Sequence, residues 1–480
     1  MKKTQYDAVI VGAGPNGLAA AITLQQQGLS VLLIEGKDTI GGGMRTLELT
    51  LPGYAHDVCS AIHPMALGSP FFATLPLSDY GLEFIHAPLA AAHPFDDGSA
   101  VFLSRSLSDT AEALGNDAER YRSLIGPFAD HWEALASDSM GPLRFPKNPL
   151  LMAKFGRYAL QPADVLVSRF QNPRTRALWA GMAAHAIQPL HNLASSAVGL
   201  MLLAVGHRKG WPIPKGGSQA IADALAMCFI SLGGEIRTGV WIEDLNDLPP
   251  HKVALFDVTP RQLDKIAGNR LKKSYSKQLK KYRYGMGVFK MDWALDGPVP
   301  FRSADARSAG TVHLGNTFEE IAEGEWKTSK GQHVETPFVL LAQQSLFDTG
   351  RVPEGKQAVW AYCHVPNGST QDMSRQIENQ IERFAPGFKD RILARNTMDT
   401  QAMETYNPNY IGGDINGGII DIRQLYTRPV LSLSPYRTSL KQVYICSSST
   451  PPGGGVHGMC GYHAARLALQ DIFGIRIPRL

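Results

Sequence analysis

The residues whose types and spacing point to chemistry stand near the two ends of this chain. Gly12, Gly14 and Gly17 fall in the spacing G-x-G-x-x-G, with Ala13, Pro15 and Asn16 between them. The run YDAVIV (residues 6–11) before them is apolar enough for a buried strand, and residues 18–27, rich in Ala, Leu and Gln, read as a helix. Gly12 permits the tight turn, Gly14 leaves room for a pyrophosphate at the backbone, and Gly17 lets the helix pack closely. Free N–H groups and the positive dipole end at the helix N-terminus suit phosphates. Gly28 closes the helix, and a second apolar strand, SVLLIE (residues 30–35), ends in Glu35, placed for ribose hydroxyls. A lone glycine motif would be weak; strand, helix and terminal acid together point to a dinucleotide.

The residues that follow, Gly36-Lys37-Asp38-Thr39-Ile40-Gly41-Gly42-Gly43-Met44-Arg45-Thr46, give the pattern E-x(4,5)-GG-x-x-x-T. It resembles the second fingerprint of glutathione-reductase-type FAD proteins, in the branch that holds amine oxidases and phytoene desaturases. The resemblance implies FAD, with Gly36, Gly42, Gly43 and Arg45 near its pyrophosphate. Many relatives place an arginine directly after the glycine pair; here Gly43 stands there and Arg45 comes two residues later. At the other end, YICSSSTPPGGGVHG (residues 444–458) is similar to the desaturases' closing flavin motif, G-x-G-x-H-P-G-G-G-V-x-G. Ser447 and Ser449 replace its first two glycines and Pro451 its histidine. The similarity implies that Gly454, Gly455, Val456 and Gly458 approach the flavin, where backbone N–H groups would stabilise charge on its reduced ring. WPIPKGG (residues 211–217) resembles the family's return into the cofactor domain, which implies Val240 beside the adenine, and YNPNYIGGDINGG (residues 406–418) resembles its loop over the flavin. No second acid-ended strand follows the last glycine loop, so tight NAD(P)H binding is not expected.

Three side chains are candidates for acid–base work. His63, with Cys59 nearby, lies in GYAHDVCSAIHP (residues 53–64), the segment that in this family runs beneath the flavin. It either assists proton movement or is hydrogen-bonded packing there. His457 belongs to a loop that must approach the ring, and its side chain points toward that ring or away from it. Asp414, in GGDINGG, is either an acid facing substrate or a turn residue. No metal-ligand spacing, nucleophile elbow or C-x-x-C pair occurs, so no metal is expected and disulfide-reductase chemistry is excluded.

Behind these motifs stands an ordinary globular composition, 44% hydrophobic and 19% charged over 480 residues, which calls for more than one domain. A net charge of +4 is too small to point to nucleic acid. The resemblance implies an α/β fold: a Rossmann-type FAD-binding domain (residues 1–75, 207–268 and 430–480) with an interleaved α+β substrate domain (residues 76–206 and 269–429). Helical patterns cover residues 107–135 and 218–232, strand patterns residues 234–245, 284–293, 337–343 and 358–364, and a helix closes the chain over residues 459–473. The apolar stretch 193–206 is too short to span a bilayer and is a candidate lining for an apolar substrate cavity. Residues 269–285 carry seven basic residues and no acid, with Leu271, Tyr275, Leu279 and Tyr282 at helical spacing. Such a helix packs on the domain or docks on an anionic membrane surface. The expected activity is hydride removal from a largely apolar substrate to flavin N5 by a cytoplasmic enzyme, peripheral to a membrane on the second helix reading. A flavin-dependent isomerase without net redox and a non-catalytic FAD-binding protein are the alternatives.

Overall fold

The computed structural model describes residues 5–425 and 427–480. Five strands form a parallel sheet in the spatial order Val443–Ile445, His251–Phe256, Tyr6–Val11, Val31–Ile34, Glu235–Arg237. Alternate side chains feed two cores. Ala8, Ile10, Leu33 and Leu255 pack with the helices Pro15–Gln25, Gln219–Ser231 and Met459–Phe473, whereas Val9, Leu32, Ala254 and Phe256 pack with Leu263 and Ile266 on the other face. Both faces are covered, which is why these strands read as continuous apolar runs. Chain order reverses between Tyr6–Val11 and His251–Phe256, and at such a switch point a crevice opens beyond the carboxyl ends of the strands.

A seven-stranded mixed sheet forms the second layer, in the order Ile392–Met398, Gly287–Leu295, Gln357–Val365, Val339–Ala342, Ala309–Leu314, Leu89–Pro94, Ala100–Leu103. One face carries Met291, Trp293, Val312, Leu341 and Ala361 against the helix Ser374–Phe384. The opposite face alternates with it and carries Thr311, His313, Trp360 and Tyr362.

Several sequence expectations need correction. Only Glu235–Arg237 of residues 234–245 is strand, and the missing strand is His251–Phe256, in the middle of the parallel sheet. Residues 107–135 divide into the helices Leu107–Ala113, Ala118–Asp130 and Trp132–Ser139. In the basic segment, the helix Lys273–Lys280 turns Tyr275 and Leu279, with Leu271, into the core behind the parallel sheet. Its apolar face is therefore occupied, and by packing it belongs with that sheet rather than with the second layer to which a boundary at residue 269 assigns it. Most of the apolar stretch 193–206 lies in the helix Ser196–Lys209, which crosses Pro173–Ala184 so closely that a Cβ on Gly199 would stand 3.2 Å from the Ala183 nitrogen. Gly199 is a helix-crossing residue, not cavity lining. No helix among the described residues is long and apolar enough to cross a membrane, and all five cysteines are free thiols.

A buried ionic knot joins the two layers. Arg351 donates to Asp348 at 2.7 Å, to Asp57 at 2.5 Å and to the Pro214 carbonyl at 2.8 Å. Burial alone would raise the Asp57 carboxyl, but Arg351, the Ser218 N–H and the Thr46 hydroxyl hold it below the ordinary range.

Burial also keeps eight histidines neutral. It lowers His56, His63, His93, His207 and His457 to about 4, His185 and His463 to about 3, and His313 well below its usual 6.5. The unfolded chain therefore binds more protons below pH ~6.5, so this stabilisation is complete above that pH and is lost as pH falls toward 4. Asp257, pushed up to about 7 by burial, and Asp414, also raised by burial, act in the opposite sense, two groups against eight. The urea midpoint should fall steadily between pH ~7 and pH ~5; a constant midpoint over that range would contradict neutral burial of these rings.

Candidate functional site

One cleft of ≈ 980 Å³ starts at the switch point of the parallel sheet and runs to the polar face of the second sheet. Gly12, Gly14, Pro15 and Asn16 line its first end, facing Glu35, Gly36, Gly42, Gly43, Arg45 and Val240. Gly14 is the N-cap of the helix Pro15–Gln25 and supplies no side-chain cap, so the helix end is open to a ligand. Gly42, at φ +57°, packs against it, and a Cβ there would lie 3.1 Å from the Gly14 Cα. The two bare backbones leave this end of the cleft free of side chains beside the open helix N-terminus, the access and polarity that an FAD pyrophosphate needs.

Glu35 is fixed at the end of its strand. One carboxylate oxygen accepts the Ala13 N–H at 2.8 Å, and the other accepts the Lys37 N–H at 3.0 Å and faces Arg45 at 3.3 Å. Arg45 also donates to the carbonyls of Thr39 (2.6 Å) and Gly42 (3.1 Å) and lies over the Tyr406 ring. Its guanidinium braces the glycine loop from within. Gly17 does not line the cleft; a Cβ on it would meet the Gly12 carbonyl at 1.8 Å, so its role is helix packing.

Sequence reasoning missed Asp257, the residue directly after strand His251–Phe256 and a cleft wall. Its carboxylate accepts the Gly17 N–H at 2.9 Å and lies 2.8 Å from where a Gly14 Cβ would stand. Burial pushes it up to about 7 against that hydrogen bond. The available signal was the acid ending the short apolar run VALF (residues 253–256).

Farther along, Gly455 and Val456 line the cleft, but Gly454, His457 and Gly458 do not. Gly454 packs on the Asn416 backbone. His457 is turned inward: its Nδ1 accepts the Met459 N–H at 3.0 Å and its carbonyl accepts the Ser69 hydroxyl at 2.6 Å. Gly458, at φ +68°, is the N-cap of the helix Met459–Phe473. Asp414 is also withdrawn. Its carboxylate gathers the N–H groups of Gly285 (2.7 Å), Asn416 (2.8 Å) and Gly418 (3.0 Å), a turn-building role, while burial pushes its pKa up. Of the three acid–base candidates only His63 reaches the cleft, beside Cys59. Its Nε2 is 2.8 Å from the Ser218 hydroxyl, and burial keeps the imidazole neutral. The far end is walled by Leu202, Trp211, Leu340 and Tyr362, with His185 above them; Leu202 is the one residue of the 193–206 stretch that reaches it.

Comparison with known proteins agrees with this architecture. A family model described as an NAD(P)-binding Rossmann-like domain matches residues 10–71. Over 98% of its length the chain is 25% identical to pyridine nucleotide-disulfide oxidoreductase domain-containing protein 2 of Mus musculus, covering 94% of that protein. It is 22% identical to the lycopene-forming phytoene desaturase of a Paracoccus species, with 97% of each chain covered. Putrescine oxidase in a putrescine-bound structure shares the fold at a TM-score of 0.64 and 16% identity, over 98% of this chain and 99% of that one. End-to-end likeness of this kind, on a parallel sheet with an open glycine slot at its switch point, supports an FAD-dependent oxidoreductase that is similar to the phytoene desaturases.

Proposed function

We propose that this oxidoreductase takes hydride from a largely apolar substrate onto flavin N5. The observation that carries the reading is the continuity of the cleft from the glycine slot to a chamber walled by Leu202, Trp211, Leu340 and Tyr362. Bound FAD would supply two-electron acceptance, and the chain supplies position, exclusion of water and hydrogen bonds. Gly12, Gly14, Asn16 and Gly42 would hold the pyrophosphate, Glu35 the ribose, Val240 the adenine side, and Gly455 and Val456 the flavin end. His63, neutral and tied to Ser218, would offer a hydrogen bond at the ring rather than a charge. The cofactor part would comprise residues 1–75, 207–268 and 430–480, together with the helix Lys273–Lys280. Names of the full-length relatives, desaturases among them, favour net oxidation over isomerisation or mere binding.

Gly14→Val tests the cofactor placement. The added methyls would fill the slot and displace Asp257, so the variant should purify colourless but folded; a normally yellow Gly14→Val protein would refute the assignment. A second measurement concerns the electron donor. Only one complete dinucleotide fingerprint is present, so stopped-flow mixing with NADPH under anaerobic conditions should leave the flavin oxidised on the turnover timescale. Fast, saturable bleaching would overturn that reading.

We also propose that an apolar substrate is collected at a lipid surface through the exposed side chains of Leu143, Phe145 and Leu150, flanked by Lys147 and Lys154. Sedimentation with anionic vesicles should be clear for the native protein and largely lost in Phe145→Glu; equal sedimentation of both would remove this surface from consideration.

A further inference from the structure

The second sheet turns two neighbouring rows of side chains toward the cleft. Thr311, Ala342 and Trp360 stand opposite one another in the first, and His313, Leu340 and Tyr362 in the second. His185 comes down onto these rows from the end of the helix Pro173–Ala184, with its Nε2 3.0 Å from His313 Nε2. Trp211 stands edge-on to His185 and donates its indole N–H to the Thr311 hydroxyl at 2.9 Å. Nothing in the apolar reading of this chamber requires such groups.

Their proton positions follow from the contacts. Both imidazoles are neutral, so a single proton lies between the two Nε2 atoms. His313 Nδ1 is buried and meets no partner. An orphaned acceptor is tolerated in protein interiors more readily than an orphaned N–H. His313 therefore donates through Nε2, His185 accepts, and the His185 proton sits on Nδ1, which has no hydrogen-bond partner among the described residues. Tyr362 has none for its hydroxyl either, and burial, which raises its pKa, keeps it protonated. Thr311 accepts from Trp211 and retains its own proton to give. The chamber wall thus presents the His185 Nδ1–H and the hydroxyl protons of Tyr362 and Thr311 as open donors, and the buried Trp360 indole N–H beside them also lacks a partner. A pure hydrocarbon would leave all of them unmet in a site that excludes water.

We propose that the substrate bears one neutral acceptor oxygen on its apolar frame, a carbonyl or an ether, and that His185, Thr311 and Tyr362 bind it. This rests on the chamber being the substrate's seat in the oxidoreductase reading. The oxygen is neutral because none of the described residues that wall the chamber supplies a free cation to match a charge. Lys290, opposite Tyr362 in the sheet, is bonded to both oxygens of Asp292 at 2.5 Å, and Arg351 is held between Asp57 and Asp348. A carboxylate would be buried without a counter-charge.

Calorimetric titration of the FAD-loaded protein with 2-dodecanone, dodecane and dodecanoate tests the proposal. The ketone should bind at least about tenfold more tightly than either of the others, the ratio expected when a hydrogen bond to an otherwise unmet donor is gained. In Tyr362→Phe, which conserves shape, and in His185→Phe, that advantage should shrink to about twofold or less while dodecane affinity is retained. Flavin content and circular dichroism report whether each variant is folded, and Tyr362→Phe stands by itself if His185→Phe is not. Dodecane binding as tightly as the ketone, dodecanoate binding most tightly, no binding of any probe, or a ketone preference that survives in Tyr362→Phe would each overturn the proposal. Binding is read without turnover, so a protein whose flavin no substrate reduces would end the oxidoreductase reading and leave this result standing.

Discussion

The arrangement depends first on the guanidinium of Arg351. It is enclosed, and its donors are divided among Asp57, Asp348 and the Pro214 carbonyl. These partners come from the segment after the glycine loop, the strand that leads back to the parallel sheet, and the second layer. Removing one partner from a buried pair of this kind typically costs about 3–5 kcal/mol, because a charge is left without an answer. The residual negative charge of two carboxylates against one guanidinium is met by the N–H groups of Gly216 and Ser218, at the start of the helix Gln219–Ser231. Ser218 then reaches His63 in the cleft wall. The knot that fixes one sheet on the other therefore also fixes the floor of the cleft.

The cofactor end was legible in the sequence because its chemistry is made by the backbone. A pyrophosphate slot needs residues without Cβ at fixed positions, and Gly12, Gly14 and Gly42 announce themselves by type. Glu35 is similarly forced, since an acid at the end of a buried run has few other reasons to be there. Direction was not legible. His457 and Asp414 lie in loops that do pass the cleft, yet whether a side chain turns in or out depends on partners that no pattern announces: for His457 the Met459 N–H in an irregular turn, and for Asp414 the Gly285 N–H, 129 residues away. Asp257 was hidden for another reason. Its strand is only six residues long and gains its burial wholly from neighbours distant in the chain.

The chamber was the least legible part, although strand alternation carried the signal. In VWAYCHV (residues 359–365) and GTVHL (residues 310–314) every second residue is apolar, while those between are Trp360, Tyr362 and His364, or Thr311 and His313. One set packs on the helix Ser374–Phe384, and from the other Thr311, Trp360 and Tyr362 reach the cleft wall. Period-two patterning identifies two faces without saying which is solvated. Here neither is: the polar face is enclosed, so its side chains are matched to one another and to the cleft rather than to water.

The first and last helices of the parallel layer press together so tightly that a Cβ on Gly461 would stand 1.8 Å from the Asn16 carbonyl. That contact has a consequence for biosynthesis. Strand Tyr6–Val11 leaves the ribosome about 240 residues before its neighbour His251–Phe256, and the covering helix Met459–Phe473 follows later still. At ~5–20 residues per second, the nascent glycine turn must wait tens of seconds with its apolar strands unpaired on one side. The nucleotide pocket thus closes only once the helix Met459–Phe473 has been made, and termination before that helix leaves the strand Tyr6–Val11 without the cover of its core, a natural substrate for chaperones and proteases.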